Sequence, residues 1–276
     1  MLRQYRTADA ERKAVKEEGE FKMVDVKLAH QAENEIMVIV DKTSPPFMNA
    51  MRRAATFEVP VLAIEDVYFL KNSSALYDEI LAHRLGLVSL KTDLKSYNLS
   101  EECTCKGKLC AKCSVKITLK AKGPVMVFAS DLKFKDPAIK AAYPDTPIVQ
   151  LLENQELEFE AVAILGKGLT HVKWCPGHVY YRGYPAFEVK DGDVKAAMEE
   201  LPEGALKKEG KDIEVADITK WNESYEDILK KHGIKTKNSS EKFIFTLESW
   251  GQLTPIQILT ESVRVLQDKL KEVKVK

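Results

Sequence analysis

Ser44-Pro45-Pro46-Phe47-Met48-Asn49-Ala50-Met51-Arg52-Arg53-Ala54-Ala55-Thr56-Phe57-Glu58-Val59-Pro60-Val61-Leu62-Ala63-Ile64 changes its hydrophobic period near the end. The two prolines suit the first turn of a helix, where a missing N–H would have no partner anyway. Phe47, Met51, Ala54 and Ala55 then fall on one helical face. Pro60 disfavours helical geometry at Val59, so the helix is predicted to end before it. From Val61 to Phe69 the chain reads as a strand. Helix and strand in direct succession make this a mixed α and β chain.

Toward the amino terminus, Val24, Val26 and Leu28 alternate with polar residues, and Ile36 to Val40 is a buried strand candidate. Residues 1–22 form a polar tail dense in charge, with no apolar stripe to dock it. The tail lacks the apolar core of a secretory leader, so a cytosolic protein is expected. Toward the carboxyl terminus, Asn72-Ser73-Ser74 is predicted to cap a second helix through Leu76, Ile80, Leu81 and Leu85, ending at Gly86. Val115, Ile117, Leu119 and Ala121 alternate with Lys116, Thr118, Lys120 and Lys122, a half-buried strand with a lysine face in water. Further strands are predicted at 125–128, 148–152, 157–164 and 179–181, so the middle of the chain is β-rich.

Residues 188–240 are charged and carry turn signals at Asp191-Gly192, Pro202-Glu203-Gly204 and Asn238-Ser239-Ser240. Short helical patterns at 194–201 and 225–232 suggest a small module with a thin core. Phe243, Phe245 and Leu247 then alternate as a strand. Thr254-Pro255-Ile256-Gln257 is a capping box with proline at the first helical position, opening a long helix toward Val273. On it Ile256, Leu259, Val263, Leu266, Leu270 and Val273 recur at alternating spacings of three and four, the period of a narrow helix-to-helix seam.

Lys+Arg and Asp+Glu both number 42, so the chain lacks the global positive field of a dedicated nucleic-acid binder. Its apolar runs fall far short of the roughly 20 residues that cross a bilayer, and no membrane association is expected. Four of the five cysteines follow the pattern Cys103-x-Cys105-x4-Cys110-x2-Cys113. Four thiolates on a short loop can close a tetrahedral shell around Zn²⁺, with Gly107 supplying the turn. Lys106, Lys108 and Lys112 among the sulfurs favour thiolate over thiol. Such a shell leaves no open position for a substrate, so the zinc would be structural. A reduced loop without metal and an iron–sulfur cluster are the competing readings. Cys175, between Trp174 and Pro176, reads as packing. Gly166-Lys167-Gly168-Leu169-Thr170 lacks the full spacing of a phosphate loop and reads as a turn. With no triad, zinc-protease or acidic metal motif, the chain offers no catalytic centre and suits a scaffold better than an enzyme.

The run from Asn49 to Ile64 resembles the α-type assembly subunits of multisubunit RNA polymerases. So do Asn72-x-Ser74 and Asp78-Glu79-Ile80-Leu81-Ala82-His83-Arg84-Leu85-Gly86-Leu87-Val88. Gly168-Leu169-Thr170-His171-Val172-Lys173-Trp174-Cys175-Pro176 and the cysteine loop are similar to the archaeal and eukaryotic versions, most of all to the archaeal D type. The likeness spans about residues 23–276. It implies an α+β fold with a discontinuous dimerisation domain from both chain ends, 23–61 plus 241–276. A β-rich domain, 62–187, is inserted between them, followed by the small charged module 188–240. It implies heterodimerisation with an α-like partner, subunit L. Small subunits N and P and the large catalytic subunits would be neighbours, and DNA would be reached only indirectly. Catalysis would belong to the large subunits. Asn49, Arg52 and Arg53 would face those subunits, and Ile256, Leu259, Val263, Leu266 and Leu270 would share their seam with L. Some D-type subunits carry a cysteine-rich iron–sulfur module where this chain has no cysteine, so that cluster is not expected here. An independent zinc-binding, nucleic-acid-binding regulator is the alternative, and it would need a basic, aromatic surface around the loop. A thiol redox enzyme would need a thioredoxin-like setting for Cys110-x2-Cys113.

Overall fold

A computed structural model describes residues 23–189, 193–209 and 212–273; the tail 1–22 lies outside the described residues. Strands β1 (Asp25–Gln31) and β2 (Glu35–Asp41) lead into helix α1 (Pro45–Arg53). A wider π-helical turn, Ala54–Glu58, continues α1 and stops where Val59 turns extended before Pro60. Then follow β3 (Val61–Asn72), α2 (Asp78–Gly86), β4 (Ser114–Lys122), β5 (Val125–Phe128), β6 (Lys133–Phe134), β7 (Pro147–Leu151), β8 (Glu156–Gly166) and β9 (Gly177–Val189). Helix α3 (Val194–Glu200), β10 (Leu206–Glu209), β11 (Asp212–Val215) and α4 (Tyr225–Lys231) make up the module. Strand β12 (Ile234–Ser249) and helix α5 (Pro255–Glu272) close the chain.

Two four-stranded antiparallel sheets carry the fold. The first has the order β1-β2-β12-β9, the second β3-β8-β4-β6. Ile36, Val38 and Val40 alternate inward on β2 and meet Phe243, Phe245 and Leu247 of β12 across the ladder. Met48, Met51 and Ala55 from the first helix and Ile258 from α5 cover this face. Phe47, expected in that face, is exposed, and Met48 takes the buried place. In the second sheet Ile117, Leu119, Phe159 and Ala161 pack under Leu81 and Leu85 of α2 and under the β5–β7 pair. The start of β3 serves both cores, which is why four consecutive residues are buried there. Val61 and Ala63 face the first core, and Leu62 and Ile64 the second.

Three expectations need correction. Residues 177–187 were expected in the inserted domain and 188–189 in the module, but together they form β9 beside β12 in the first sheet, pairing Val179 with Leu247 and Tyr181 with Phe245. Their half-apolar alternation fits either sheet, and the twelve-pair register with β12 decides for the first. Residues 234–240, expected in the module, begin β12, and Asn238-Ser239-Ser240 forms an irregularity rather than a turn. The register steps from Asn238↔Pro185 to Phe243↔Gly183, and Ser239 Oγ accepts from the backbone N–H groups of Glu241 and Lys242 at 3.2 and 3.0 Å. Proline cannot donate to a ladder, and the pairing breaks just past Pro185, between Asn238 and Phe243. Asn72 does not cap α2. It closes a turn by accepting from Ser74 N–H and donating to Asp78 Oδ1 at 2.7 Å, and the helix starts only after Tyr77.

The module is better built than its charge suggests. Val194, Ala197, Leu206, Ile213, Trp221 and Leu229 pack on Ile244, with Met37 and Ile39 alongside, covering the far face of the first sheet. Trp221 sits edge-on to both Phe187 and Tyr225, with ring centroids at 5.3 and 5.9 Å. The sheet is thus covered on both sides, by helices on one and by the module on the other.

Candidate functional site

The cysteine loop precedes β4. Lys106 and Leu109 adopt φ of 51° and Gly107 of 80°, three left-handed residues within four positions. Side chains rarely accept that conformation. Here backbone bonds hold the reversal: Lys106 N–H to Cys103 O at 3.0 Å, and Cys113 N–H and Ser114 N–H to Cys110 O at 3.0 Å each. Asn98 N–H donates to Lys112 O and ties the loop to the preceding segment.

The result is convergence of all four sulfurs within 4.8 Å of one another. Cys103–Cys110 and Cys105–Cys113 are 3.6 Å apart and Cys110–Cys113 3.9 Å. Sulfurs at the corners of a tetrahedron with Zn–S of about 2.3 Å would be about 3.8 Å apart, so the cage has the size that chemistry requires. The thiols are free, not disulfide-bonded. They are also unequal. The backbone N–H of Cys110 draws the Cys105 thiol down, whereas burial and its sulfur neighbours push Cys113 up. The residues fit a cation, and the four of them could hold a metal ion.

Cys175 is apart from this cluster, buried and donating to Gly177 O at 3.2 Å, as its packing reading requires. The Gly166–Thr170 segment is a packing turn. A Cβ on Gly168 would lie 2.6 Å from Thr56 O, and one on Gly166 would lie 2.3 Å from the Trp174 ring.

The second feature is an apolar face made by β1, α1 and α5. Capped by Thr254 and Gln257 as expected, α5 anchors through Ile258 and Ser262, both fully buried. The seam is split by this docking. Leu259 and Leu266 are partly buried against the chain's own core. Ile256, Val263, Leu270 and Val273 are exposed by 50%, 40%, 71% and 65%. Beside them Val24, Val26, Phe47, Met51, Leu259 and Val263 border a wholly apolar groove of about 230 Å³. Val24 and Val26 were read from the sequence as the apolar side of a strand and Phe47 as part of a helical face, and the pattern gave no sign that their cover is missing within the chain.

The three helix residues named for docking part company. Arg52 spends its guanidinium on Asn49 Oδ1, at 2.9 and 3.3 Å. Arg53 is exposed and borders a shallow cleft with Phe57, Glu58, Leu169, Leu266 and Lys269. Glu58 there holds Lys269 at 2.6 Å and Lys167 at 3.8 Å. No helix among the described residues is long and apolar enough to cross a membrane.

Comparison with known proteins places these features in a lineage. The family described as RNA polymerase Rpb3/RpoA insert domain matches residues 67–175, ending just before β9 returns to the first sheet. DNA-directed RNA polymerase subunit Rpo3 of Methanothermobacter thermautotrophicus is 37% identical over 258 residues, covering 91% of this chain and 97% of that protein. The Rpo3 subunits of Methanopyrus kandleri and Thermococcus kodakarensis are 34% and 36% identical. They cover 86% and 90% of this chain, and 89% and 95% of their own lengths.

Proposed function

This chain belongs to the Rpo3 family of DNA-directed RNA polymerase subunits, and on that premise we propose that it assembles the enzyme through the apolar face of β1, α1 and α5. It is an assembly subunit of a nucleotidyltransferase complex. The observation that carries the reading is the combination of a well-capped, well-anchored helix with exposed Ile256, Val263 and Leu270 on its outward side. Exposed apolar residues next to a wholly apolar groove mark a surface completed by another protein.

The partner of this face is the α-like subunit L, related to this chain by a pseudo-twofold axis that sets helix beside helix. Small subunits N and P and the large catalytic subunits occupy other surfaces, with Arg53 and its cleft directed at a large subunit. Asn49 and Arg52 shape that helix end by bonding each other. The dimerisation domain is the first sheet with its two helices, and the insert is the second sheet with the cysteine loop. Zinc held by Cys103, Cys105, Cys110 and Cys113 is the structural ion, consistent with the family's D-type archaeal and eukaryotic members and with a cytoplasmic enzyme.

Co-expression with a tagged L subunit tests the interface. Val263→Glu places a carboxylate in the shared seam and is expected to abolish co-purification, because an unpaired buried charge is strongly disfavoured. Leu266 is a poorer probe, since it also packs on the chain's own core. Retention of L by folded Val263→Glu protein would refute this interface. The metal has its own test. Elemental analysis should give about one zinc per chain, and chelation should lower the melting temperature. Structural zinc is worth about 10–16 kcal/mol in small zinc-folded peptides, and a preformed domain has less at stake. Zinc content near zero in reduced, undamaged protein would reject the ion.

A further inference from the structure

The second sheet has one face on its core and one in water. On the watered face the lysines of β4 meet different fates along the strand. At the far end Lys122 and Lys71 share Glu156 at 2.7 and 3.1 Å, and Lys120 takes Glu158 at 2.8 Å. At the near end, beside the cysteine loop, Lys108, Lys116, Lys133 and Lys135 are all exposed, and none is ion-paired among the described residues. These four border one open cleft of about 640 Å³. The only carboxylate bordering it is Glu160.

Register fixes their arrangement. Tyr68, Glu160, Thr118 and Lys133 lie in one row across β3, β8, β4 and β6. Lys116 and Lys135 lie one side-chain step along, joined by the bond from Lys135 N–H to Lys116 O at 2.9 Å. Successive side chains on one face are about 6.6–6.8 Å apart and neighbouring strands about 4.8 Å. The lysines therefore form a compact grid at one side, with Tyr68 across the row at about three strand spacings. Tyr68 is 59% exposed, an unusual place for a ring with no packing duty. Leu109, 38% exposed, forms part of the wall.

We propose that this cleft binds single-stranded nucleic acid without sequence preference, its lysines following the phosphates and Tyr68 stacking on a base. A positive groove with an exposed aromatic ring is the combination that holds single strands, since every base has a face to stack. Lysine is a point charge that can pair with a phosphodiester without fixed bidentate geometry, and the exposed ring of Tyr68 beside the lysines is what favours a nucleic acid over an acidic chain. An acidic peptide would leave Tyr68 without a role. The cleft is bordered by strands and a loop and presents no helix to enter a duplex groove. The inference concerns a surface remote from the β1–α1–α5 face and stands or falls separately from the assembly reading.

The test is fluorescence anisotropy of labelled oligothymidylate with the full chain at several salt concentrations. Lys116→Glu/Lys133→Glu should weaken binding about tenfold or more and flatten the salt dependence, since each lost phosphate contact removes about 0.7 from the slope on single strands. Tyr68→Ala should weaken binding by about fivefold or more while leaving that slope unchanged, because stacking releases no counterions. Lys231→Glu, on α4, should change nothing. Circular dichroism and an unchanged melting temperature confirm that each exposed-site variant is folded. Unaltered affinity in the lysine pair would overturn the site. Displacement of the oligonucleotide by polyglutamate at equal charge, with no effect of Tyr68→Ala, would overturn it in favour of an acidic polypeptide.

Discussion

Glu156 shows how one side chain can join three strands. Its two oxygens hold Lys122 from β4 and Lys71 from β3. These bonds, that to Lys122 first, hold its carboxyl down to about 2 from an ordinary 4.5. A depressed carboxylate pKa adds stability above the unfolded value, and this stability is lost as pH falls from about 4.5 through about 2. We expect Glu156→Gln to be less stable than the natural chain at neutral pH and to close that gap below pH 2.5, measured by urea midpoints across the range. Added salt should shrink the difference, because the three groups are exposed to screening. A gap constant with pH would show that the bonds carry no charge-dependent stability. At this scale the sequence is eloquent about alternation and silent about partners. Val115, Ile117 and Leu119 were legible as buried because a period of two survives any context. The pairing of Glu156 with two lysines from different strands depends on registers that only tertiary structure sets. The four cysteines were legible for a different reason, since they lie within eleven positions and need only a local loop to converge.

Elements were readable where their ends carry chemistry. Helix α5 begins at Thr254 because the side chain accepts from Gln257 N–H at 3.3 Å and Gln257 returns a bond to Thr254 N–H at 2.8 Å. The end of helix α2 at Gly86 was legible but its start was set too early, because Asn72 has equal means to cap a helix or close a turn, and here it closes a turn. The strand β12 was cut short for a related reason. Asn238-Ser239-Ser240 carries turn residues, yet a turn and a ladder irregularity use the same residues for the same local bonds. The α5 seam, legible from its spacing, divides between the chain's own core and an open face. Ile258, one place beside it, is fully buried, while Val263 on it is 40% exposed. Truncation separates them. Ile258→Ala should destabilise the isolated chain by about 2–5 kcal/mol, the range for emptying a packed site. Val263→Ala should change it by less than about 0.5 kcal/mol, as exposed positions do. In the complex with the partner proposed for this face the second value should rise well above that. Equal costs in the isolated chain would mean that Val263 already has a cover within the molecule.

For the molecule as a whole, charge and shape pull in the same direction. Forty-two cations balance forty-two anions, so no net repulsion keeps two copies apart at neutral pH. One face meanwhile exposes Val26, Leu28, Phe47, Ile256, Val263 and Leu270 next to the apolar groove. Hydrophobic attraction without electrostatic opposition favours association, and a second copy presents the same apolar face for a twofold contact. The isolated chain is therefore expected to elute from size exclusion as dimers or larger species near pH 7, by light scattering, with the monomer fraction rising on dilution. Val26→Lys/Phe47→Lys/Val263→Lys should restore the monomer by two routes at once, removing apolar area and adding like charge. To separate the routes, three lysines placed on the exposed neutral positions Thr219, Asn222 and Ser224 of the module supply the same added charge without touching the face. If association runs through the face, only the first triple variant disperses the oligomer and only that variant fails to capture the subunit proposed as its partner. If both variants disperse it equally, lack of net charge is the cause and the face contributes nothing to self-association. A natural chain that stays monomeric at high concentration would mean that the apolar face is too small or too poorly matched to hold a second copy, and that its complement lies in the partner alone.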